Sequence, residues 1–313
     1  ALAHAARSVW RRARRGSAGA DIYQRGTETS LIERFLYPKR GPGQLWEEVT
    51  RRIRERGGQV ILGTAVTALH AEGERIVAAT VRDAAGGLTR VEGDYFFSTM
   101  AIRDLVAGLD AGVPPDVAEI AAGLVYRDFI TVGVLLRAGG PLAAMSDNWI
   151  YVQEPDVKVG RLQIFNNWSP YLVADPETVW IGMEYFANEG DALWALPDDD
   201  FADFAIAELV ALGLADRDAV LDRVVLHVPK AYPAYFGTYE RFEILREFLD
   251  RFANLFLIGR NGMHRYNNQD HSMLTAIVAV ENIAAGIQTK DNIWSVNVEQ
   301  EYHESRAAET SSV

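Results

Sequence analysis

Leu45, Trp46, Val49 and Ile53 recur at helical spacing through "LWEEVTRRIRERGG", so this segment predicts a helix with one apolar stripe, closed by Gly57–Gly58. Before it, "YPKRGPGQ" carries Pro38, Gly41, Pro42 and Gly43 and predicts irregular backbone. After it come short β-branched runs, "QVILG", "AVTALHA", "RIVAATVRD" and "LTRVEGDYFFST", with turns at Glu72–Gly73 and Gly86–Gly87. They predict a strand, a meander, and a returning strand near Tyr95–Ser98.

From about Leu105 the rhythm changes. "VPPDVAEIAAGL" predicts a helix with proline near its start, and "DDDFADFAIAELVALGL" a capped amphipathic helix. "FITVGVLL", "NWIYVQ", "GRLQIFNN" and "TVWIGMEYF" predict strands, giving a mixed sheet with helices on one side. "VVLHVPKAYPAYF" is a further strand with a proline-interrupted end, and "RFEILREFLDRF" a helix. Asn254 then precedes the strand Leu255–Ile258, and a helix runs from about Asp270 to Ala285, stopped by Gly286. At the ends, residues 1–20 are helix-prone, Asp21–Ser30 loop-like with a helix start near Thr29 or Ser30, and the tail after Thr289 peripheral with "ESRAAETSSV" frayed.

With 313 residues, 49% hydrophobic and 24% charged, the chain can bury a substantial core. A net charge of −12 argues against a nucleic-acid surface spread over the molecule. Arg7, Arg11, Arg12, Arg14 and Arg15 form the one basic cluster, read as a solvated helix face. Without cysteine there are no disulfides, thiolate catalysis or cysteine metal sites, which is compatible with a cytoplasmic location. No run of about 18 apolar residues suggests an integral membrane segment. The chain begins at Ala1 and is soon in a helical pattern, which suggests a processed protein or a fragment.

The chemistry concentrates in "FLIGRNGMHRYNNQDHSML", residues 256–274. An apolar strand that ends in glycine and leads through a loop into a helix N-terminus is a common α/β ligand crevice. Gly259 lets backbone approach a ligand, and the helix start offers free N–H groups and partial positive charge that favour an anion. Arg260, His264, Arg265 and Tyr266 could contact phosphate or a heteroaromatic ring. The plain alternative is a turn that caps the next helix with Asp270 or Ser272. His264, Asp270 and His271 have no recognised metal-ligand spacing, so no metal is expected.

"GRNGMHRYNNQD" resembles the C-terminal flavin-binding segment of UDP-galactopyranose mutases, members of the wider amine oxidase and protoporphyrinogen oxidase group of FAD enzymes. Tyr266 falls on that family's second aromatic and Asp270 on its helix-start acid; His264 stands where the mutases usually carry tyrosine, and Asn268 where they carry an acid. "YPKRGPGQLWEEVTRRIRERGGQVILGTAVTAL", "DYFFSTM" and "VPKAYPAY" are similar to further stretches of the group. The likeness covers roughly residues 35–105 and 225–290. It implies an α/β fold, the C-terminal part of a two-domain FAD/NAD(P)-binding flavoprotein with a mixed-sheet, α+β substrate region. Residues 1–36 would be a helical segment of the substrate domain, 37–104 and 251–290 FAD-binding parts, 105–250 the substrate domain and 291–313 a tail.

The resemblance further implies FAD as cofactor, with Gly259, Arg260, Asp270, His271, Ser272 and Met273 around the flavin and the Val66 backbone on the adenosine side. His264, Arg265, Tyr266, Asn268, Trp168 and Tyr232 would face a small-molecule substrate, with Tyr171, Tyr235 and Tyr239 as further candidate walls and Asn166, Asn167 and Lys230 suiting a polar one. The Gly-x-Gly-x-x-Gly turn that seats the FAD pyrophosphate in this group does not occur in the sequence. The expectation is therefore an upstream FAD-binding portion of the same protein as partner, and weak or no FAD binding by this polypeptide alone. Three activities are expected in turn: FAD-dependent oxidoreductase, mutase-like non-redox isomerase of a sugar nucleotide, or a non-catalytic interaction protein that retains the fold.

Overall fold

The computed structural model describes residues 36–296. The helix expected over residues 1–20, the loop at 21–30, the helix start near Thr29 and, of the tail expected after Thr289, the part from 297 lie outside the described residues; the tail's first residues are not peripheral, since Ile293 and Trp294 are buried in the core.

Helix α1 (Gly43–Glu55) leads through an extended stretch to strand β1 (Ala65–Glu72), which pairs antiparallel with β2 (Arg75–Arg82), itself antiparallel to β3 (Leu88–Glu92). Strand β4 (Phe96–Ser98), α2 (Ile102–Ala107), β5 (Leu109–Asp110) and α3 (Pro115–Ala122) follow, with β5 parallel to β1. Pro115 opens α3, where its missing N–H costs nothing. The expected strand at "QVILG" does not form: residues 59–63 have no ladder partner among the described residues, and Ile61 and Leu62 stand 68% and 82% exposed. β-Branched residues favour extension, but a strand also needs a neighbour for its N–H and C=O groups.

The middle of the chain holds β6 (Tyr126–Arg137), α4 (Gly140–Ala144), β7 (Trp149–Tyr151), β8 (Arg161–Ile164), α5 (Phe165–Trp168), β9 (Thr178–Ala187), α6 (Asp198–Ala211) and β10 (Val220–Pro233). Its five strands run β10-β6-β9-β8-β7, every pair antiparallel. The mixture of orientations expected within this sheet arises instead across the chain, because the parallel pairs lie elsewhere. Pro229 sits inside β10 where the register shifts between Val228 and Tyr232, a bulge that excuses its missing donor. Helix α6 buries Phe201, Ala202, Ala205, Ile206 and Leu209, the spacing of one helical face, against one side of this sheet. It carries three aspartates in its first turn but no side-chain cap.

Helix α7 (Phe242–Asp250), β11 (Leu255–Leu257), the turn α8 (Gly259–Gly262), α9 (Gln269–Ala285) and α10 (Asp291–Trp294) complete the chain. Strand β11 lies parallel to β4, with Leu255, Phe256 and Leu257 opposite Phe96, Phe97 and Ser98. Helix α9 ends where Gly286 turns left-handed at φ +69, as its sequence predicts.

Two apolar cores result. One unites residues between Leu69 and Tyr126 with Phe242–Trp294; the other runs from Ile130 to Leu209 within the five-stranded sheet and α6. Leu105–Tyr126 and Phe242–Leu249, expected with the substrate region, pack in the first core.

Candidate functional site

The parallel pair β4–β11 brings two carboxyl-terminal strand ends together. The Ile258 N–H donates to the Ser98 carbonyl at 3.1 Å, extending the ladder by one bond. Gly259 then turns to φ +73, a left-handed conformation that side chains resist. Its N–H donates to Thr275 Oγ1 at 3.1 Å, and that hydroxyl donates to the Ser272 carbonyl at 2.7 Å. The turn is thereby fastened to the first coils of α9. Gly262 serves contact instead: a Cβ there would overlap the Ser98 carbonyl oxygen and lie 3.3 Å from its carbon.

Helix α9 starts one residue earlier than expected, and its N-cap is Asn268, not Asp270 or Ser272. Asn268 and His271 form a reciprocal capping box, in which the Asn268 N–H donates to His271 Nδ1 at 3.4 Å. Asn268, expected at a substrate, thus closes the helix, and His271 is buried beneath it. Asp270 lies in the first turn with its carboxylate 3.6 Å from the His271 ring. Ser272 and Met273 follow half-buried, Ser272 with its side chain 3.8 Å from where a Gly259 Cβ would stand.

Arg260 spans the loop. Its Nε donates to the Asn267 carbonyl and its Nη1 to the Ala231 carbonyl, both at 3.0 Å. The guanidinium lies 5.2 Å from the Tyr232 ring centre and 4.7 Å from that of Tyr266, and the two rings stack 6.0 Å apart at 18°. Arg260 therefore braces the loop and the aromatic pair with two of its five N–H donors. The Tyr266 N–H donates to the Tyr235 hydroxyl, which fixes the backbone at that point.

Three expected site residues sit elsewhere. His264 has φ +46 and no exposed surface; Tyr126, Tyr239 and Phe242 surround its ring, and Nε2 hydrogen-bonds the Ala234 carbonyl at 3.0 Å. Burial holds its pKa down at about 4, against the pull of that carbonyl, so the ring is neutral and serves the core. Arg265 donates to the Trp294 carbonyl and ties the loop to α10. Trp168 stacks on Tyr37 at 5.2 Å and meets Trp149 edge-on at 6.4 Å, at the far β7 side of the five-stranded sheet. Val66 lies in β1 opposite Val81, 42% exposed.

One feature had no signal in the sequence. On the sheet face opposite α6, Arg161 and Glu184 form a buried ion pair at 2.5 Å. Burial opposes charge on Arg161 more than any single neighbour favours it, but the Glu184 carboxylate, together with Tyr232 and Tyr151, outweighs it and raises the arginine pKa. Arg161 also donates to the Tyr232 hydroxyl at 3.0 Å and lies 4.9 Å from the Trp149 ring and 5.1 Å from that of Phe186. Glu184 accepts from Gln163 as well. The partners stand on β8 and β9, 23 residues apart in sequence, and only cross-strand pairing places them opposite each other.

The site fits one edge of a flavin. Gly259 offers a left-handed backbone with no Cβ at the strand ends, and the Ser98 hydroxyl and Asn261 amide oxygen beside it are buried without partners. Two unmet polar groups suit a heteroaromatic edge that both donates and accepts hydrogen bonds. Among the described residues no group of three or more His, Asp or Glu could hold a metal ion, and no helix is long and apolar enough to cross a membrane.

No protein-family model matches the chain. Among solved structures, a reduced UDP-galactopyranose mutase superimposes with a TM-score of 0.69 at 19% identity, over 83% of this chain and 54% of that one. A protein from an Exiguobacterium species provisionally named a protoporphyrinogen oxidase gives 0.56 at 16%, over 77% and 51%. An oxidoreductase from Methanosarcina mazei gives 0.50 at 14%, over 71% and 49%. The chain spans about half the length of the structures it matches. Its fold is that of the FAD-dependent, amine oxidase-like flavoproteins which its last segment resembles.

Proposed function

We propose that this chain supplies the ring-and-substrate half of an FAD-dependent oxidoreductase of the amine oxidase class, acting on a small polar or nucleotide-sugar substrate. The observation that carries the reading is the left-handed Gly259 at the ends of the parallel pair, with the start of α9 behind it and the Tyr232–Tyr266 stack beside it. A flavin bound there would supply hydride acceptance or, when reduced, a nucleophilic ring nitrogen. Gly259 admits the ring and Ser98 and Asn261 meet its polar edge. The N-terminus of α9, with Asp270, His271, Ser272 and Met273, favours negative charge on it. Val66 would lie on the adenosine side. Arg260 orients the aromatic pair, and Tyr266 and Tyr232 face substrate. Residues 37–125 and 234–296 then form the cofactor region and 126–233 the substrate region, and the cysteine-free sequence suits a cytoplasmic protein.

A mutase-like, non-redox reaction is the second reading, favoured by the mutase structure having the higher TM-score of those compared and by the Gly259–Asp270 segment. A non-catalytic protein that keeps the fold is the third. Lumiflavin, which lacks phosphates, tests this half of the site alone. Weak quenching of its fluorescence by the chain, lost in Gly259→Val, supports the flavin reading; equal or absent quenching in both proteins rejects it. Given lumiflavin binding, conversion of UDP-galactopyranose that requires dithionite without consuming it would select the mutase over the oxidoreductase.

A further inference from the structure

The segment that follows α9 returns to the candidate site from the other side. Gly286 ends α9 and the chain folds back along it, fixed by reciprocal amide bonds between Asn282 and Asn292, both at 2.8 Å. Lys290, 6% exposed, donates through Nζ to the Asp250 and Phe252 carbonyls at 3.2 and 2.8 Å and stands 4.0 Å from the Asp250 carboxylate. Trp294 is buried beside it, and its Nε1 donates to both Asp250 carboxylate oxygens, at 3.2 and 3.0 Å. Arg246 completes the group: it pairs with Asp250, Asp291 and Glu243 and lies 5.2 Å from the Trp294 ring.

This group meets the site at one point. The Trp294 carbonyl accepts from Arg265, which also hydrogen-bonds the Tyr239 side chain. Tyr239 packs on Tyr235 with ring centres 5.0 Å apart, and the Tyr235 hydroxyl accepts the Tyr266 N–H. The Tyr266 backbone therefore rests on residues 289–296 through Arg265 and two tyrosines. A lysine buried among apolar groups holds a segment down at a cost, since methionine would fill the space with no charge to desolvate. What the lysine adds is a proton that can leave. Burial outweighs the neighbouring Asp250 carboxylate and holds its pKa down at about 8, against the ordinary 10.5.

We infer that residues 289–296 are a proton-linked strap in which Lys290 and Trp294 act as positioning residues, setting Tyr266 through Arg265. Opening the strap returns Lys290 to water, where it holds its proton more tightly, so closing favours the neutral amine. The closed strap gains on the open one as pH rises from about 8 towards 10.5, and below that window Lys290 stays charged in both forms. Tyr235 and Tyr239, which face Arg265, are both pushed up by burial and keep their protons to about pH 10. Only the effect on a bound ring rests on the flavin reading above; the strap rests on its hydrogen bonds.

Because the sequence has no cysteine, a single introduced thiol reports one position. Ile293→Cys on the strap and Met263→Cys in the loop, both 1% exposed as the native residues, are placed separately in the full 313-residue chain and checked for folding by circular dichroism. Thiol labelling rates are divided by those of the urea-unfolded chain at the same pH. Amide exchange over residues 259–268 and 289–296, corrected for intrinsic rates, gives the same comparison without a substitution. Protection at both positions should rise together, about tenfold or more between pH 7 and 9.5, and should not change with pH in Lys290→Met. In Arg265→Met, protection at Met263→Cys should fall about tenfold and lose its pH dependence, while Ile293→Cys keeps both. A flat profile with the lysine present, the same rise in Lys290→Met, or an equal response of both positions to Arg265→Met would overturn the inference. Lumiflavin at pH 7 should slow labelling at both positions, and in Arg265→Met at Met263→Cys alone. If the pH profiles come out as expected but lumiflavin slows neither position, the strap stands and the flavin reading fails.

Discussion

The side-chain amide of Asn254 pairs with the backbone of Ile76 across 178 residues of sequence: its Oδ1 accepts the Ile76 N–H at 2.9 Å and its Nδ2 donates to the Ile76 carbonyl at 2.7 Å. The same Nδ2 reaches the Asp94 carbonyl at 2.8 Å, and the Asn254 carbonyl accepts the Phe96 N–H. One buried amide thus stands in for a strand residue and sets β11 in register with β4. Replacing Asn254 by Ala would leave three backbone groups unmet, at about 1–3 kcal/mol each before relaxation. Chemical denaturation should show a loss of at least about 3 kcal/mol; a loss below about 1 would remove Asn254 from this role.

Gly259 and Gly262 should respond differently to alanine. At Gly262 a Cβ meets strand backbone that cannot move aside, so Gly262→Ala is expected to cost about 1–3 kcal/mol. At Gly259 the nearest atoms are 3.8 Å away and the penalty is the left-handed backbone, about 1–2 kcal/mol. Thermal melts would rank the two, and a Gly259→Asn variant, which tolerates positive φ, should recover stability where Gly262→Asn does not.

His264 sets an acid limit on stability. Its folded pKa of about 4 lies below the ordinary 6.5, so the unfolded chain binds more protons between those values. The stabilising effect of the neutral buried ring is complete above pH 6.5 and is lost as pH falls towards 4, up to about 3 kcal/mol. Urea midpoints measured from pH 7 to 4 should fall steeply in the native protein and less steeply in His264→Gln. Parallel profiles would show that another group causes the fall.

The Arg161–Glu184 pair is a matter of balance. Removing one partner leaves a buried charge, so Arg161→Met or Glu184→Leu alone should cost about 3–5 kcal/mol, while the two together cost far less. A double-mutant cycle measures the coupling, and additive losses would count against it. Arg161 also holds the Tyr232 hydroxyl and faces Trp149, so Trp fluorescence should shift in Arg161→Met even where the double variant regains stability.

Patterning along the chain determined the helices at residues 43–55, 115–122, 242–250 and 269–285 and the antiparallel meander, because periodicity and glycine punctuation are local properties. The same stretch of residues 256–274 exposed the strand, the permissive Gly259 and the helix that build the candidate site. Tertiary structure decided the rest. Whether "QVILG" became a strand depended on a neighbour, and whether His264 met ligand or core depended on three aromatic residues from distant elements. Arg161 and Glu184 became a pair only when β8 and β9 came into register. Local spacing fixes which groups a segment can offer; burial and pairing across the fold fix which of them remain available for chemistry.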